Sequence, residues 1–187
     1  MAAVRALLAS ANPHKARELE WALPGWSIAP LEADYPPETG ATFYENALGK
    51  ARFGRRLAPA DSWVLAEDSG IEVEALDGGP GVYSARWAAG DEVGRMLEAM
   101  TGLSNRRARY VSELVAIDPD GRERRGTGTL AGRIAESAAG SGGFGFDPVF
   151  VPDGETETVG VLGNGWKRDH SHRARAARAL LESLTRP

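Results

Sequence analysis

The apolar run Trp63-Val64-Leu65-Ala66 passes straight into Glu67-Asp68-Ser69-Gly70, and no other stretch narrows the fold as much. The run reads as a short buried strand. Ending it in two carboxylates and a glycine turn sends acidic oxygens to the strand's carboxyl edge, where open α/β sheets keep their ligand crevices. Hard oxygen donors in a crevice suit Mg²⁺, and Mg²⁺ usually comes with a phosphate-bearing substrate. Taken alone, Asp68-Ser69-Gly70 reads more readily as a surface turn, because these residues favour turns for their own local reasons; the other constellations of the chain are what turn the reading toward a site.

The remaining segments place this strand in a mixed sheet. Val4 to Ala9 is mostly apolar and reads as a strand buried on both faces. Asn12-Pro13 then supplies a helix cap and a first helical residue, and Ala16, Leu19 and Leu23 keep a helical stripe up to Pro24-Gly25. Trp26 to Ala29 is a second strand. Thr42-Phe43-Tyr44-Glu45 fits a capping box, Glu45 reaching back to the Thr42 amide, and opens a helix to about Leu57. Ile71 to Ala75 alternates as a half-exposed strand does. A helix follows over Asp91 to Met100. Arg109 to Ile117 and Arg122 to Ile134 form a hairpin across Asp118-Pro119-Asp120-Gly121. Asp147 to Val151 reads as a strand, and Ala177, Leu180, Leu181 and Leu184 mark a last helix capped by Ser171. Strand and helix alternate, then a hairpin follows, which predicts a mixed α/β sheet with an antiparallel part.

Composition excludes several classes. With 42% hydrophobic and 26% charged residues among 187, the chain is globular and long enough for one sizeable core. A net charge of −4 argues against a general nucleic-acid or membrane-surface binder. Without cysteine there is no disulfide scaffold, thiolate metal site or cysteine nucleophile. No segment approaches the ~18 apolar residues of a membrane span. A cytoplasmic protein is expected.

Four constellations carry chemistry. Ser10-Ala11-Asn12-Pro13-His14-Lys15 joins the first strand to its helix; free amides there attract anions. Lys15 opposes the helix dipole, so an anion is expected beside it; the plain alternative is a solvated lysine. Glu38, Glu45, Glu67 and Asp68 form an acidic set in which Glu45 is accounted for by its capping box. Glu38 lies in a loop with no structural employment of its own, and with Asp68 it could bind one Mg²⁺. Gly140-Ser141-Gly142-Gly143-Phe144-Gly145-Phe146-Asp147-Pro148 matches G-x-G-x-x-G literally, yet lacks the strand before and helix after that a dinucleotide fingerprint needs. Its two aromatics and one acid suit base stacking and edge recognition, or else the phenylalanines enter the core. Lys167, Arg168, His170, His172, Arg173, Arg175 and Arg178 make a basic island, in which charge at the start of the last helix suits an anion and Arg175 and Arg178 read as a solvated helical face. No Walker A loop, G-x-S-x-G elbow or H-E-x-x-H pair is present.

In order and spacing these blocks resemble the non-canonical purine nucleoside triphosphate pyrophosphatase family, the inosine triphosphatases. The likeness takes in Asn12-x-x-Lys15-x-x-Glu18, Glu38-Thr39-Gly40-x-Thr42-Phe43-x-Glu45-Asn46-Ala47 with Lys50-Ala51-Arg52, and Asp68-Ser69-Gly70. It continues through Gly79-Pro80-Gly81-Val82-Tyr83-Ser84-Ala85-Arg86, Gly142 to Pro148, Lys167 and Ser171-His172-Arg173. The resemblance implies one pyrophosphatase domain over residues 1–187, with an elongated mixed β-sheet flanked by helices and two lobes around a central cleft. It implies a Mg²⁺-dependent homodimer that cleaves inosine, deoxyinosine and xanthosine triphosphates to the monophosphate and pyrophosphate. By motif, Asp68 is the general base and a metal ligand, and Glu38 the other metal carboxylate. Ser10, Ala11, Asn12, Pro13, His14, Lys15, Ser69 and Lys167 hold phosphates and sugar. Phe144, Gly145, Phe146, Asp147, His172 and Arg173 surround the purine. Three places depart from the family pattern: Ser10-Ala11 replaces Thr-Gly, Glu67 replaces a common Asp, and Gly163-Asn164-Gly165-Trp166 precedes Lys167.

Two other readings are open. Maf-like pyrophosphatases act on pyrimidine or modified nucleotides, but the Gly142 to Pro148 and Ser171 to Arg173 blocks speak against them. A nucleotide sensor without hydrolysis has less need of two metal carboxylates.

Overall fold

The first apolar run becomes strand β1 (Val4–Leu8), and Asn12 caps helix α1 (Pro13–Ala22) as its sequence requires, Oδ1 accepting from the His14 amide at 2.9 Å. The structure, a computed structural model, describes residues 4–10 and 12–185; Ala11 lies outside them. Strand β2 (Trp26–Pro30) runs parallel to β1, with Val4 opposite Trp26. Helix α2 (Phe43–Leu57) starts at Thr42, whose hydroxyl accepts from the Glu45 amide at 3.1 Å. Glu45 reaches back one residue further than its capping-box reading, to the Ala41 amide at 2.7 Å.

The acidic turn expected after Ala66 does not form. Residues 63–73 make one unbroken strand, β3 (Trp63–Val73), so Glu67, Asp68, Ser69 and Gly70 lie inside it. Burial overrides the local turn preference: Glu67, Asp68, Gly70 and Ile71 are all buried in the sheet, and the carboxylates have partners there.

A short helix that the sequence reading did not include, α3 (Ser84–Ala88), precedes α4 (Glu92–Ala99), which Asp91 caps through the Gly94 amide at 2.9 Å. Strands β4 (Arg107–Ile117) and β5 (Glu123–Ile134) form the expected hairpin. Asp147 to Val151 is not one strand: a 3-10 turn (Asp147–Val149) leads into the short β6 (Phe150–Pro152). Pro148 fixes φ and donates no hydrogen bond, which suits the turn. Helix α5 (Val159–His170) was not expected either, since Gly163 and Gly165 are poor helix formers; at Gly163 the backbone leaves helical values, with φ 76°. Helix α6 (His172–Thr185) closes the chain, and Ser171 donates its amide to Lys167 O at 3.0 Å between the two helices.

The described residues form a six-stranded sheet in the order β2-β1-β3-β4-β5-β6, with β1 parallel to β3 and β6 antiparallel to β5. The chain divides into two compact units. The first holds the described residues of Met1–Asp68, Ser112–Gly128 and Arg173–Pro187; the second holds Ser69–Val111 and Thr129–His172.

In the first unit, alternate residues of one strand go to opposite clusters, as a pleat requires. Leu65, Leu114 and Ala116 pack with Leu19 and Leu23 and with Ala176, Ala177 and Leu180. Val64, Ala66, Val115 and Ile117 pack with Ala47 and Ala51 of α2. Helices therefore cover both faces of this part of the sheet. At Gly126 a Cβ would fall 2.1 Å from Ala176 O, so α6 approaches β5 closely only because that position is glycine. The second unit has its own core of Ile71, Val73, Met96, Met100, Tyr110, Leu130, Phe146 and Phe150.

Candidate active site

In the first unit, α2 turns a stripe inward at Phe43, Asn46, Ala47, Ala51 and Gly54, and Lys50 lies on the same side. Two polar residues in that stripe set the geometry. Lys50 Nζ stands 2.6 Å from Glu38 Oε1, 3.0 Å from the main-chain oxygen of Glu67 and 3.3 Å from Asp68 Oδ1. Asn46 donates from Nδ2 to Asp68 Oδ2 at 3.1 Å and accepts the Gly40 amide at 2.8 Å. A Cβ at Gly40 would lie 2.6 Å from Asn46 Oδ1, so this glycine lets the loop carrying Glu38 close on α2. Glu38 and Asp68, far apart in sequence, thus share one cation.

The two charges in this cluster respond differently to burial. Burial raises the Asp68 carboxyl above its ordinary value; Lys50 and Lys15 pull it down without cancelling the rise, and Glu38 adds to it. Burial works against the Lys50 ammonium, but Asp68 and Glu38 outweigh it and hold Lys50 charged.

Glu67, fully buried, points elsewhere. Its Oε2 is 2.8 Å from Lys15 Nζ, its Oε1 is 3.1 Å from Arg173 Nε, and it accepts the Ser112 hydroxyl at 2.8 Å. Arg173 also reaches Glu18 at 3.0 Å. Burial alone would push the Glu67 carboxyl up, but Arg173 and Lys15 hold it well below the usual carboxylate range. The anion expected beside Lys15 is therefore found within the chain. Ser10 accepts the Asn12 amide at 3.1 Å, and Asn12 and His14 are tied together by the cap.

A second cluster belongs to the second unit. Asp147 Oδ2 accepts from Lys167 Nζ at 2.7 Å and from the Phe144 amide at 2.9 Å, while Oδ1 accepts the Tyr110 hydroxyl at 3.2 Å. Lys167, only 2% exposed, lies 4.5 Å from the Phe144 ring centroid. His172 stacks on Tyr110 with centroids 4.5 Å apart and planes 13° from parallel. Gly143 adopts φ 76°, and a Cβ there would fall 2.1 Å from Asp147 Oδ2. The two phenylalanines of the glycine loop part ways: Phe146 enters the core and Phe144 is half-buried, as is Gly145. Ser69 is half-buried in β3.

Glu38 with Asp68, Lys15 with Arg173 through Glu67, and Asp147 with Lys167 are brought together in this way. Lys50, Asn46, Tyr110 and Ser112 were not among the candidate residues. Lys50 and Asn46 had a signal: polar residues at helical spacing in an otherwise apolar stripe.

The Ham1 family model matches residues 6–183. The chain belongs to the Ham1 family. Among its relatives, a dITP/XTP pyrophosphatase of Deinococcus deserti is 44% identical over 181 residues, covering 93% of this chain and 86% of its own. One of Symbiobacterium thermophilum, also described as a dITP/XTP pyrophosphatase, is 44% identical and covers 98% and 96%. A solved structure, the Ham1 protein of Staphylococcus aureus, superposes with a TM-score of 0.82 at 32% identity, covering 96% of this chain and 97% of that one. Among the described residues no helix is long and apolar enough to cross a membrane.

Proposed function

We propose that this Ham1-family chain is a nucleoside triphosphate pyrophosphatase that converts inosine, deoxyinosine and xanthosine triphosphates to the monophosphate and pyrophosphate. Its relatives' names point to this substrate class. The observation that carries it is the convergence of Glu38 Oε1 and Asp68 Oδ1 on one ammonium, 2.6 and 3.3 Å away.

That ammonium serves as a test of fit for Mg²⁺, which the family resemblance implies. Two carboxylate oxygens and a main-chain carbonyl already face a single positive charge. Hard oxygens of this kind suit Mg²⁺, which needs only one or two protein carboxylates when phosphates complete its shell. Glu38 and Asp68 would hold it, and it would supply charge neutralisation at the phosphates and a more acidic water.

The chain's own residues do the rest. Asp68, its pKa raised by burial, is the base: it takes a proton from the water that attacks the α-phosphorus. The bond from that phosphorus to its β-bridging oxygen breaks, and pyrophosphate leaves. Ser10, Asn12, His14, Lys15 and Ser69 are assigned to phosphates and sugar, with Lys167 on the phosphate side. By the family resemblance Phe144, Gly145, Phe146, Asp147, His172 and Arg173 are assigned to the purine. A 6-amino base would leave a buried polar group unpaired, and such mismatches discriminate strongly. A homodimer and a cytoplasmic location go with this reading.

The test is to incubate the protein with Mg²⁺ and inosine triphosphate, ATP or GTP and identify the products. Pyrophosphate from inosine triphosphate, with little turnover of the others, is expected. Orthophosphate released stepwise, or equal rates on all three, contradicts the reading.

A further inference from the structure

Tyr110 lies on β4 in the core of the second unit, and a phenylalanine would fill nearly the same space. Its hydroxyl therefore needs a reason, because a buried hydroxyl without a partner costs stability. The partner is the Asp147 carboxylate, which also receives Lys167 and the Phe144 amide. The Tyr110 ring packs against Phe150, tilted by 51°, and stacks on His172, with centroids 4.5 Å away in each case. One immobilised side chain thus touches two of the residues assigned to the purine, one through its hydroxyl and one through its ring.

A carboxylate only accepts hydrogen bonds. It suits the N1–H of a 6-oxopurine and repels the N1 lone pair of a 6-aminopurine. Discrimination of that kind depends on where the carboxylate oxygens point, and here the Tyr110 hydroxyl anchors Oδ1 while Lys167 anchors Oδ2.

We propose that Tyr110 is a positioning residue for purine selection, fixing Asp147 through its hydroxyl and His172 through its ring. The inference rests on the reading of the substrate given above. The full chain and its Tyr110→Phe and Tyr110→Leu variants are compared for kcat and KM on inosine triphosphate and ATP, and for unfolding temperature. Tyr110→Phe is expected to keep kcat on inosine triphosphate within about twofold and to raise KM roughly fivefold. It is also expected to lower the preference for inosine triphosphate over ATP by a similar factor. Tyr110→Leu, which also removes the stack on His172, is expected to lower the preference further. If Tyr110→Phe leaves KM and the preference unchanged and moves only the unfolding temperature, Tyr110 is a core aromatic and the inference falls. A wild-type chain that releases no pyrophosphate from inosine triphosphate overturns the substrate reading and this inference together.

Discussion

Asp68 and Glu67 are neighbours in one strand, yet their surroundings move them in opposite directions. Burial dominates at Asp68 and raises its pKa; at Glu67 the charges of Arg173 and Lys15 outweigh burial and lower it. For Asp68 the folded state holds its proton more tightly than the unfolded chain, so stability falls as pH rises through the interval between the two values and stays lower above it. For Glu67 the contribution is fully present above the unfolded carboxylate pKa and is lost progressively as pH falls from there through the depressed folded value. Asp68→Asn is accordingly expected to unfold at an equal or higher temperature at neutral pH. It should lose a factor of roughly 10² or more in turnover while still binding nucleotide. A variant that keeps turnover removes Asp68 as the base. At this scale Glu38 stood out because it had no evident structural task, and Asp68 because of the other constellations in the chain, although alone it read as a turn; the structure brings both to Lys50. The pairing of Glu67 with Arg173 was not legible, since residues this far apart in sequence meet only through the fold.

Elements with strong local punctuation were legible: α1 from Asn12-Pro13, α2 from Thr42, α4 from Asp91 and the β4–β5 hairpin from its Asp118 to Gly121 turn. Where local preference and tertiary demand conflict, the reading failed. Residues 67–70 have turn composition, but the sheet keeps them in β3; Gly163 has breaker composition, and α5 continues past it with one non-helical residue. Helix α2 matters most for function because it carries Asn46 and Lys50. Removing its cap with Thr42→Ala should cost about 1 kcal/mol of stability, as loss of one N-cap oxygen does. Because Asn46 and Lys50 lie one and two turns further on, turnover should stay within about twofold. Denaturant unfolding with parallel assays checks both, and lost activity at unchanged stability would place Thr42 in the site itself.

For the whole molecule, the mixed sheet was readable from alternation and its flanking helices were implied by the family resemblance, while the make-up of the two compact units was not readable, because each is assembled from separated stretches of chain. Light scattering should give twice the 19.9 kDa of one chain; a monomer removes the homodimer from the account. The central claim is that Glu38 and Asp68 jointly hold one divalent ion. Calorimetric titration of Mg²⁺, in the presence of a non-hydrolysable inosine triphosphate analogue, tests it most directly. The account predicts one ion per chain, with affinity weakened about tenfold or more by Glu38→Gln and by Asp68→Asn alike. Unchanged affinity in either variant would contradict it.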